Sequence, residues 1–487
     1  MRISSIIPCV RNANGSGHEQ RRQTDGPGKD EVNRMNDFRK TAQEMLEFIR
    51  ISPTCFHAVA NIGRMLEAAG FQQLQEKEEW KLEKGGRYYT ERNDSSVIAF
   101  AIPEKEVGIR GFHMAAAHSD SPCFKIKEKP ELTVEEHYLR LNTEKYGGMI
   151  LSTWLDRPLS IAGRLAVKNG NGIEGRLVNI DRDLCVIPNV AIHMNREMNK
   201  GVEYNPQVDL LPLLADVSFD EYDTHTTYDA QNASENAEEQ PETVEKPTLA
   251  ALAAEAAGVD AETILGEDLF LYTRQEGKMI GAKGEFVLSP RLDDLQSAFA
   301  LTKAFTESTP AEYINLCAVF DNEEVGSGTR QGDRKTFLED TLQRITEGLQ
   351  EGHSTYLRWV ADSFLISADN AHAVHPNHPE KADPANRPYL NGGIVIKYHG
   401  SQKYTTDGIS AAKMKDYCER AKVPYQTYAN RSDIAGGSTL GNISTAHVSV
   451  SSVDIGLPQL AMHSAVETAG MKDTEYAVRA LKEFWGE

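Results

Sequence analysis

Residues 316–332 read LCAVFDNEEVGSGTRQG and join a short apolar run to a dense group of carboxylates. The apolar run from 314 to 320 predicts a buried strand. Three carboxylates and two glycines follow it directly: Asp321, Glu323, Glu324, Gly326 and Gly328. Open α/β sheets bind ligands at the carboxyl ends of their strands. The stretch therefore predicts either a ligand site at a sheet edge or an acidic loop that only solvates the surface.

The composition is that of a globular protein, and the length predicts two domains or one domain with a large insertion. The chain has 487 residues, 40% of them hydrophobic and 25% charged, and contains no apolar run long enough to cross a membrane. Its formal net charge of -20 argues against a nucleic-acid partner, because phosphate backbones bind Lys and Arg patches. We therefore expect small molecules or peptides as ligands, with no nucleic acid and no membrane.

The cysteines and the first residues of the chain bear on the cellular compartment of the protein. Six cysteines lie scattered without a CxxC pair, which is typical of a reducing compartment and predicts a cytoplasmic protein. Residues 1–34 are polar and Gly-rich and hold no apolar segment long enough for a secretory signal. We expect a disordered extension there, with the first periodic segment opening at Met35.

Two kinds of hydrophobic pattern alternate along the rest of the chain. Residues 35–123 and 276–487 alternate amphipathic helices with buried strands, which predicts helices packed on a sheet. Residues 124–275 show short alternating stretches separated by Gly and Asn turns, which predicts an inserted β-rich domain. Within it, residues 231–247 are acidic and rich in Ala, Glu and Pro, as in a mobile loop.

Four further segments place acids or histidines beside predicted strand ends or a helix start. They carry His118 and Asp120, Asp293 and Asp294, Asp369 and His372, and His463. Each signal has a structural explanation when taken alone. A lone histidine near a strand is often half-buried and hydrogen-bonded, and Asp294 suits a helix N-cap.

Combined, the signals indicate a metal site. His118, Asp293, Glu324, Asp369 and His463 are imidazole and carboxylate ligands, and they can bind two divalent metals if one carboxylate bridges them. Glu323 is then left free as a base. The chain contains no HExxH, Cys cluster or GxSxG, and its Gly-rich stretch 431–441 matches neither the P-loop nor GxGxxG.

Five blocks of the sequence resemble the aspartyl aminopeptidase family of the two-zinc exopeptidase clan. In order they are AHSDSPCFKIK, SPRLDDLQSAF, VFDNEEVGSGTRQG, ISADNAHAVHPN and PQLAMHS, and the similarity covers nearly everything from Met35 to Glu487. The resemblance implies an α/β fold: a doubly wound, mixed-sheet metallopeptidase domain interrupted by a dimerisation domain. It also implies a homo-oligomer built from dimers, commonly a tetrahedral dodecamer that encloses its active sites.

The resemblance assigns roles to individual residues. His118 and Asp369 would complete one metal site, Glu324 and His463 the other, with Asp293 bridging two divalent ions, Zn²⁺ or else Mn²⁺ or Co²⁺. Asp120 would support the base Glu323. His193 would reach a neighbouring subunit's active site, and His372, Lys397 and Tyr404 would bind substrate. The segment YHGSQKY (398–404) departs from the family pattern after the lysine, which bears on the acidic preference.

The leading hypothesis is a cytosolic metal-dependent aminopeptidase that acts on peptides with a free N-terminus, with Asp or Glu as candidate first residues. The closest rival is another two-metal amide hydrolase, such as a carboxypeptidase or deacylase, which would also accept N-blocked substrates. A noncatalytic assembly scaffold is a hypothesis of a different class. A metal analysis showing no bound divalent ion would favour the scaffold.

Overall fold

The structure is a computed structural model that describes residues 29–104, 108–217, 248–434, 436–437, 441 and 447–487. Nine α-helices fall within these residues. They are α1 (Lys29–Arg50), α2 (Cys55–Ala68), α3 (Pro206–Asp209), α4 (Leu249–Ala257), α5 (Leu292–Thr306), α6 (Phe337–Gly348), α7 (His353–Ala361), α8 (Gly408–Arg420) and α9 (Asp473–Trp485).

Twenty strands accompany the helices within the same residues. They are β1 (Gln72–Gln73), β2 (Arg87–Arg92), β3 (Ser96–Ala101), β4 (Phe112–His118), β5 (Cys123–Val134), β6 (Tyr138–Tyr146), β7 (Leu159–Asn169), β8 (Gly172–Asn179), β9 (Leu213–Asp216), β10 (Ile264–Thr273), β11 (Lys278–Ile280), β12 (Phe286–Ser289), β13 (Ile314–Phe320), β14 (Phe364–Ala368), β15 (Ala371–His372), β16 (Ile394–Tyr398), β17 (Tyr425–Ala429), β18 (Ser451–Gly456), β19 (Pro458–Leu460) and β20 (Glu467–Gly470).

The largest sheet has nine strands in the order β1-β2-β3-β13-β4-β14-β18-β16-β17, with helices packed on both faces. Successive residues of β4 point to opposite faces: Met114 packs in a core with α6 and α7, while Ala115 packs in a core with α2, α5 and α9. A strand buried on both faces explains why β4 reads as a continuous apolar run. The predicted doubly wound α/β fold is confirmed.

The centre of this sheet brings three strand ends together. β13 and β14 both pair in parallel with β4, and Phe320 lies opposite His118 in the register. The residues that follow these strands therefore meet at one edge of the sheet.

Six strands that lie between Cys123 and Thr273 form a separate sheet in the order β8-β7-β10-β5-β6-β9. Arg164 on β7 links this insert to the nine-stranded sheet, because its guanidinium donates to the carbonyl of Asn93, between β2 and β3, at 2.7 Å. Within the insert the same guanidinium donates to Asp268 on β10 at 3.0 Å. The predicted domain boundaries and the dimerisation role of the insert stay predictions.

Several element boundaries differ from the sequence-based expectation. Helix α1 begins at Lys29, before the predicted start at Met35, and α7 was not predicted. A third sheet, β11-β12-β20-β19-β15, was also not predicted, because its strands are short and not periodic. The disordered extension was expected over residues 1–34, and this is wrong for residues 29–34, which are part of α1. Residues 1–28 and the expected mobile loop at 231–247 lie outside the described residues. In the described part of the chain, no helix is both long and apolar enough to span a bilayer.

Candidate active site

The strand ends open into a cavity of about 300 Å³, which we call the site cavity. All five predicted metal ligands line it, together with the predicted base and the three predicted substrate residues of the same chain. They are His118, Asp293, Glu324, Asp369 and His463, then Glu323, and then His372, Lys397 and Tyr404. The structure therefore brings together side chains that are separated by hundreds of positions in sequence.

Asp293 lies at the centre of the cluster. This residue lies near the start of α5, is 3% exposed, and directs its two carboxylate oxygens to different histidines. Oδ1 lies 3.6 Å from Nε2 of His118, and Oδ2 lies 3.4 Å from Nε2 of His463. An oxygen of Asp369 lies 3.9 Å from the first imidazole nitrogen, and an oxygen of Glu324 lies 3.3 Å from the second. One carboxylate thus separates two groups of potential ligands.

The hydrogen bonds of the histidines show what the cluster can bind. Nδ1 of His118 lies 3.0 Å from the Asp120 carbonyl, and Nδ1 of His463 lies 2.8 Å from the Gly148 carbonyl. Because a carbonyl only accepts, each Nδ1 must carry the proton, and each Nε2 lone pair faces the carboxylates. Oδ1 of Asp293 and Oε1 of Glu324 are buried without a hydrogen-bond partner among the described residues. A cluster of acceptors fits divalent cations.

The electrostatics agree with this interpretation. Burial lowers the pKa of His463, but the nearby carboxylates of Asp293 and Glu324 outweigh burial and raise that pKa to about 11. Burial raises the pKa of Glu324 to about 7 and that of Glu323 to about 8. The field that favours a proton on His463 also favours a metal cation there.

Asp120 lies behind His118 and orders the backbone of the acidic stretch. Its two carboxylate oxygens each accept one amide at 3.2 Å, from Glu323 and from Glu324. The hydroxyl of Tyr146, on the insert, donates to the same carboxylate at 2.6 Å. Asp120 thus contacts the backbone amide of Glu323, and the Glu323 carboxylate is left free to face the site cavity.

Two further acids hold the ligands in place and were not predicted to do so. The buried Glu467 accepts the amides of His463 at 2.7 Å and of Asp293 at 3.0 Å. Asp294 accepts the amide of His118 at 3.2 Å. Asp294 has non-helical backbone angles at a kink directly before the regular part of α5. Its contact with the His118 amide shows that it does more than an N-cap would.

Aromatic and cationic groups form the opposite wall of the site cavity. Nζ of the buried Lys397 lies 3.3 Å from Asp369 and 5.6 Å from the ring centroid of Tyr404. Burial opposes the charge of Lys397, but the nearby Asp369 carboxylate outweighs it, so the ammonium pKa is raised. Tyr428 also lines the cavity and packs near Tyr404 and His372. No sequence motif had singled out Tyr428, because a lone aromatic residue outside a motif usually indicates core.

The structure places His193 elsewhere. This residue is exposed in a turn of the insert and does not line the site cavity of its own chain. Its neighbours Val190, Ile192 and Met194 are exposed apolar side chains, and Met194 is 82% accessible.

The sequence profile of the aminopeptidase I zinc metalloprotease family (M18) matches residues 48–485. The chain belongs to this family. A probable M18 family aminopeptidase 2 of Clostridium novyi (strain NT) is 46% identical over 448 residues, covering 92% of this chain and 98% of the relative.

Solved structures agree with this membership. The cryo-EM structure of the Ape4 and Nbr1 complex matches with a TM-score of 0.84 and 36% identity, covering 93% of this chain and 86% of that chain. The S. cerevisiae mApe1 dodecamer matches with a TM-score of 0.76 and 25% identity, covering 92% and 97% respectively. The chain is therefore a zinc metallo-aminopeptidase of the M18 family. The carboxylate and imidazole cluster around Asp293 is a candidate metal site in the described part of the chain.

We expect Tyr146→Phe to lower zinc affinity about tenfold or more. The substitution removes a hydrogen bond to Asp120, the acid that fixes the backbone of Glu323 and Glu324. A chromogenic chelator in competition with the protein measures this affinity. Tyr138→Phe is the matched control, since Tyr138 lies on the same strand and is 50% exposed. Equal zinc affinity in the two variants would show that the Tyr146 contact does not support the metal site.

Proposed function

We propose that this enzyme holds two divalent metal ions per subunit and removes N-terminal residues, preferentially Asp or Glu, from peptides with a free N-terminus. The observation that carries the proposal is the position of Asp293, whose oxygens face two separate imidazoles at 3.6 and 3.4 Å. His118 and Asp369 would hold one ion, and His463 and Glu324 the other. Zn²⁺ suits these ligands, and Mn²⁺ or Co²⁺ suits them as well.

Bound metals in such a site supply Lewis acidity, which polarises the substrate carbonyl and acidifies water. Glu323 carries out the proton transfers. Its carboxylate lines the site cavity beside the ligand cluster, while its amide is fixed by Asp120 at 3.2 Å. Glu323 takes the proton of the attacking water and later gives it to the departing amine, so one carboxylate serves as base and then as acid.

We expect Glu323→Gln to retain its metals and to lose at least about a hundredfold in kcat, because an amide keeps the shape but cannot accept the proton. Elemental analysis and hydrolysis of aspartyl 4-nitroanilide measure the two quantities. Glu262→Gln is the control, since Glu262 is exposed in the insert. Two metals per subunit in wild type and variant support the proposal. Loss of metal in the variant would reassign Glu323 as a ligand.

The preference for acidic residues rests on the charge of the site cavity wall. When cations neutralise the carboxylate cluster, the ammonium of Lys397 becomes an additional positive charge beside Tyr404 and His372. An acidic side chain would form a charge-assisted contact there. The buried position of Lys397 limits solvent screening of that contact.

Lys397→Met should lower the ratio of kcat/KM for aspartyl over alanyl 4-nitroanilide about tenfold or more, because a charged hydrogen bond is lost for one substrate only. Loss of the Lys397–Asp369 ion pair would lower activity on both substrates alike. The ratio therefore reports only the change in specificity. Lys278→Met, at an exposed position, is the matched control. An unchanged ratio for Lys397→Met would remove Lys397 from specificity.

His193 is proposed to complete the site cavity of a neighbouring subunit. Three features support this: its exposure, the adjacent apolar side chains, and the dodecameric assembly of the structurally similar S. cerevisiae mApe1. An exposed apolar segment of this kind commonly packs against another protein surface. We accordingly propose a homo-oligomer built from dimers through the insert, up to a tetrahedral dodecamer. The cysteines at 55, 123, 185, 317 and 418 are unpaired, which supports a cytoplasmic location.

Mixing two inactive variants tests the shared site. His193→Ala and Glu323→Gln chains, dissociated and reassembled together, should recover part of the wild-type activity, because some sites receive an intact Glu323 and a partner's intact imidazole. Light scattering confirms co-assembly, and each variant reassembled alone is the control. Co-assembled mixtures no more active than either parent would mean that each chain uses its own His193.

A further inference from the structure

The chain that follows Lys397 forms part of the wall of the site cavity. Residues 399–407 join β16 to α8 and belong to no helix or strand. Within them, Tyr404 is buried and lines the site cavity. Because this stretch takes no part in a helix or a sheet ladder, the position of Tyr404 must be fixed by hydrogen bonds and packing of another kind.

The residue that fixes this stretch is Asp454 on β18, a strand that lies between β14 and β16 in the nine-stranded sheet. Oδ2 of Asp454 accepts the Thr405 amide at 2.6 Å and the Thr405 hydroxyl at 2.8 Å. The backbone amide of Asp454 donates to the Thr406 hydroxyl at 2.9 Å. Three hydrogen bonds therefore tie the two residues after Tyr404 to one point of the sheet.

The environment of Asp454 makes these contacts strong. The side chain is fully buried, and a buried carboxylate is costly unless donors satisfy it. Hydrogen bonds to a carboxylate are also stronger than those between neutral groups, and a buried position strengthens them further. Thr405 is therefore held more firmly than a residue of an irregular stretch ordinarily is.

This anchor acts directly on Tyr404. The peptide group between Tyr404 and Thr405 is planar, and its N–H is the one that Asp454 binds. Fixing that plane leaves the Cα atom of Tyr404 little freedom to move. Packing then holds the Tyr404 ring, whose centroid lies 5.7 Å from the His399 ring and 6.5 Å from the Tyr428 ring. The backbone anchor and the ring packing together decide where Tyr404 meets the cavity.

Neither Asp454 nor Thr405 lines the site cavity. An effect of these two residues on a bound substrate must therefore pass through a residue that does line it. Tyr404 does so and is joined to Thr405 directly.

We propose that Asp454 is a positioning residue for substrate binding. It anchors Thr405, and the anchored peptide group places the Tyr404 ring against the N-terminal residue of the substrate. The inference rests on the proposed function in one respect, which is that Tyr404 contacts the substrate. It adds that a carboxylate buried outside the site cavity sets the affinity for that substrate.

The test uses the zinc-loaded full chain and the aminoacyl 4-nitroanilide that the wild type cleaves fastest. Thr405→Val keeps the shape of the side chain and removes the hydroxyl. We expect KM to rise about fivefold, while kcat and zinc affinity change less than about twofold. Thr405→Ser keeps the hydroxyl and should restore KM to near the wild-type value. Asp454→Asn should raise KM further, because both Thr405 donors lose a charged acceptor.

Thr336→Val is the matched control. The Thr336 hydroxyl also donates to a carboxylate at 2.8 Å, that of Asp340, but at an exposed position before α6. This substitution removes the same kind of hydrogen bond without touching the wall of the site cavity, so KM should stay at the wild-type value.

A double-mutant cycle asks whether Thr405 acts through Tyr404. In a Tyr404→Ala background, Thr405→Val should change kcat/KM by less than about twofold, because the side chain that the anchor places is already gone. The full fivefold effect in that background would show that the anchor acts through another group, such as Lys397, and would overturn the inference.

The kinetics of the single variants separate the inference from the proposed function. A wild-type KM for Thr405→Val beside a raised KM for Tyr404→Ala would overturn the inference and leave the proposed function standing. A Thr405→Ser variant as impaired as Thr405→Val would also overturn it. Wild-type kinetics for Tyr404→Ala would overturn the inference together with the proposed role of Tyr404. If Tyr404→Ala fails to fold by circular dichroism, Tyr404→Leu, which fills more of the same space, replaces it in every comparison.

Discussion

The arrangement of the site depends on two imidazole protons that are committed to backbone carbonyls. Once Nδ1 of His118 binds the Asp120 carbonyl and Nδ1 of His463 binds the Gly148 carbonyl, both Nε2 atoms face carboxylate oxygens. Such a cluster is unfavourable when buried alone, because like charges repel and desolvation penalises each carboxylate. A divalent cation removes both penalties. The same buried geometry that would destabilise an empty protein therefore gives the site its selectivity for metal.

The sheet explains how these groups reach one point. The parallel register of β13 and β4 places Phe320 opposite His118, so the acidic stretch that follows β13 must lie beside the histidine that ends β4. Asp293 and His463 come from outside this register, and Glu467 fixes both by accepting their amides. A single buried acid thus ties the start of α5 to the loop that precedes β20. Glu467 acts on geometry and has no need to touch a metal.

Sequence reasoning predicted most of what depends on local pattern. Buried strands such as Ile314–Phe320 and Phe364–Ala368 read as apolar runs, and the carboxylates after them follow from the strand-end rule. The five ligands were grouped from these combined signals, and the family blocks assigned their individual roles. Tyr146 and Glu467 could not be found in this way, since their importance lies in hydrogen bonds to residues far away in sequence. The short third sheet was missed because two- to four-residue strands carry no periodic signal.

The insert is part of the active site even before any neighbouring subunit is considered. Gly148 supplies the carbonyl that sets the tautomer of His463, and the Ile150 amide donates to the His463 carbonyl at 2.9 Å. Tyr146 holds the acid behind His118. Both proposed metal positions thus receive support from the insert. An insert that only mediated assembly could change its position relative to the sheet without affecting the ligand cluster. In this chain, the contacts that hold the insert against the sheet also orient the ligands. A change in the position of the insert would therefore change the geometry of the ligand cluster.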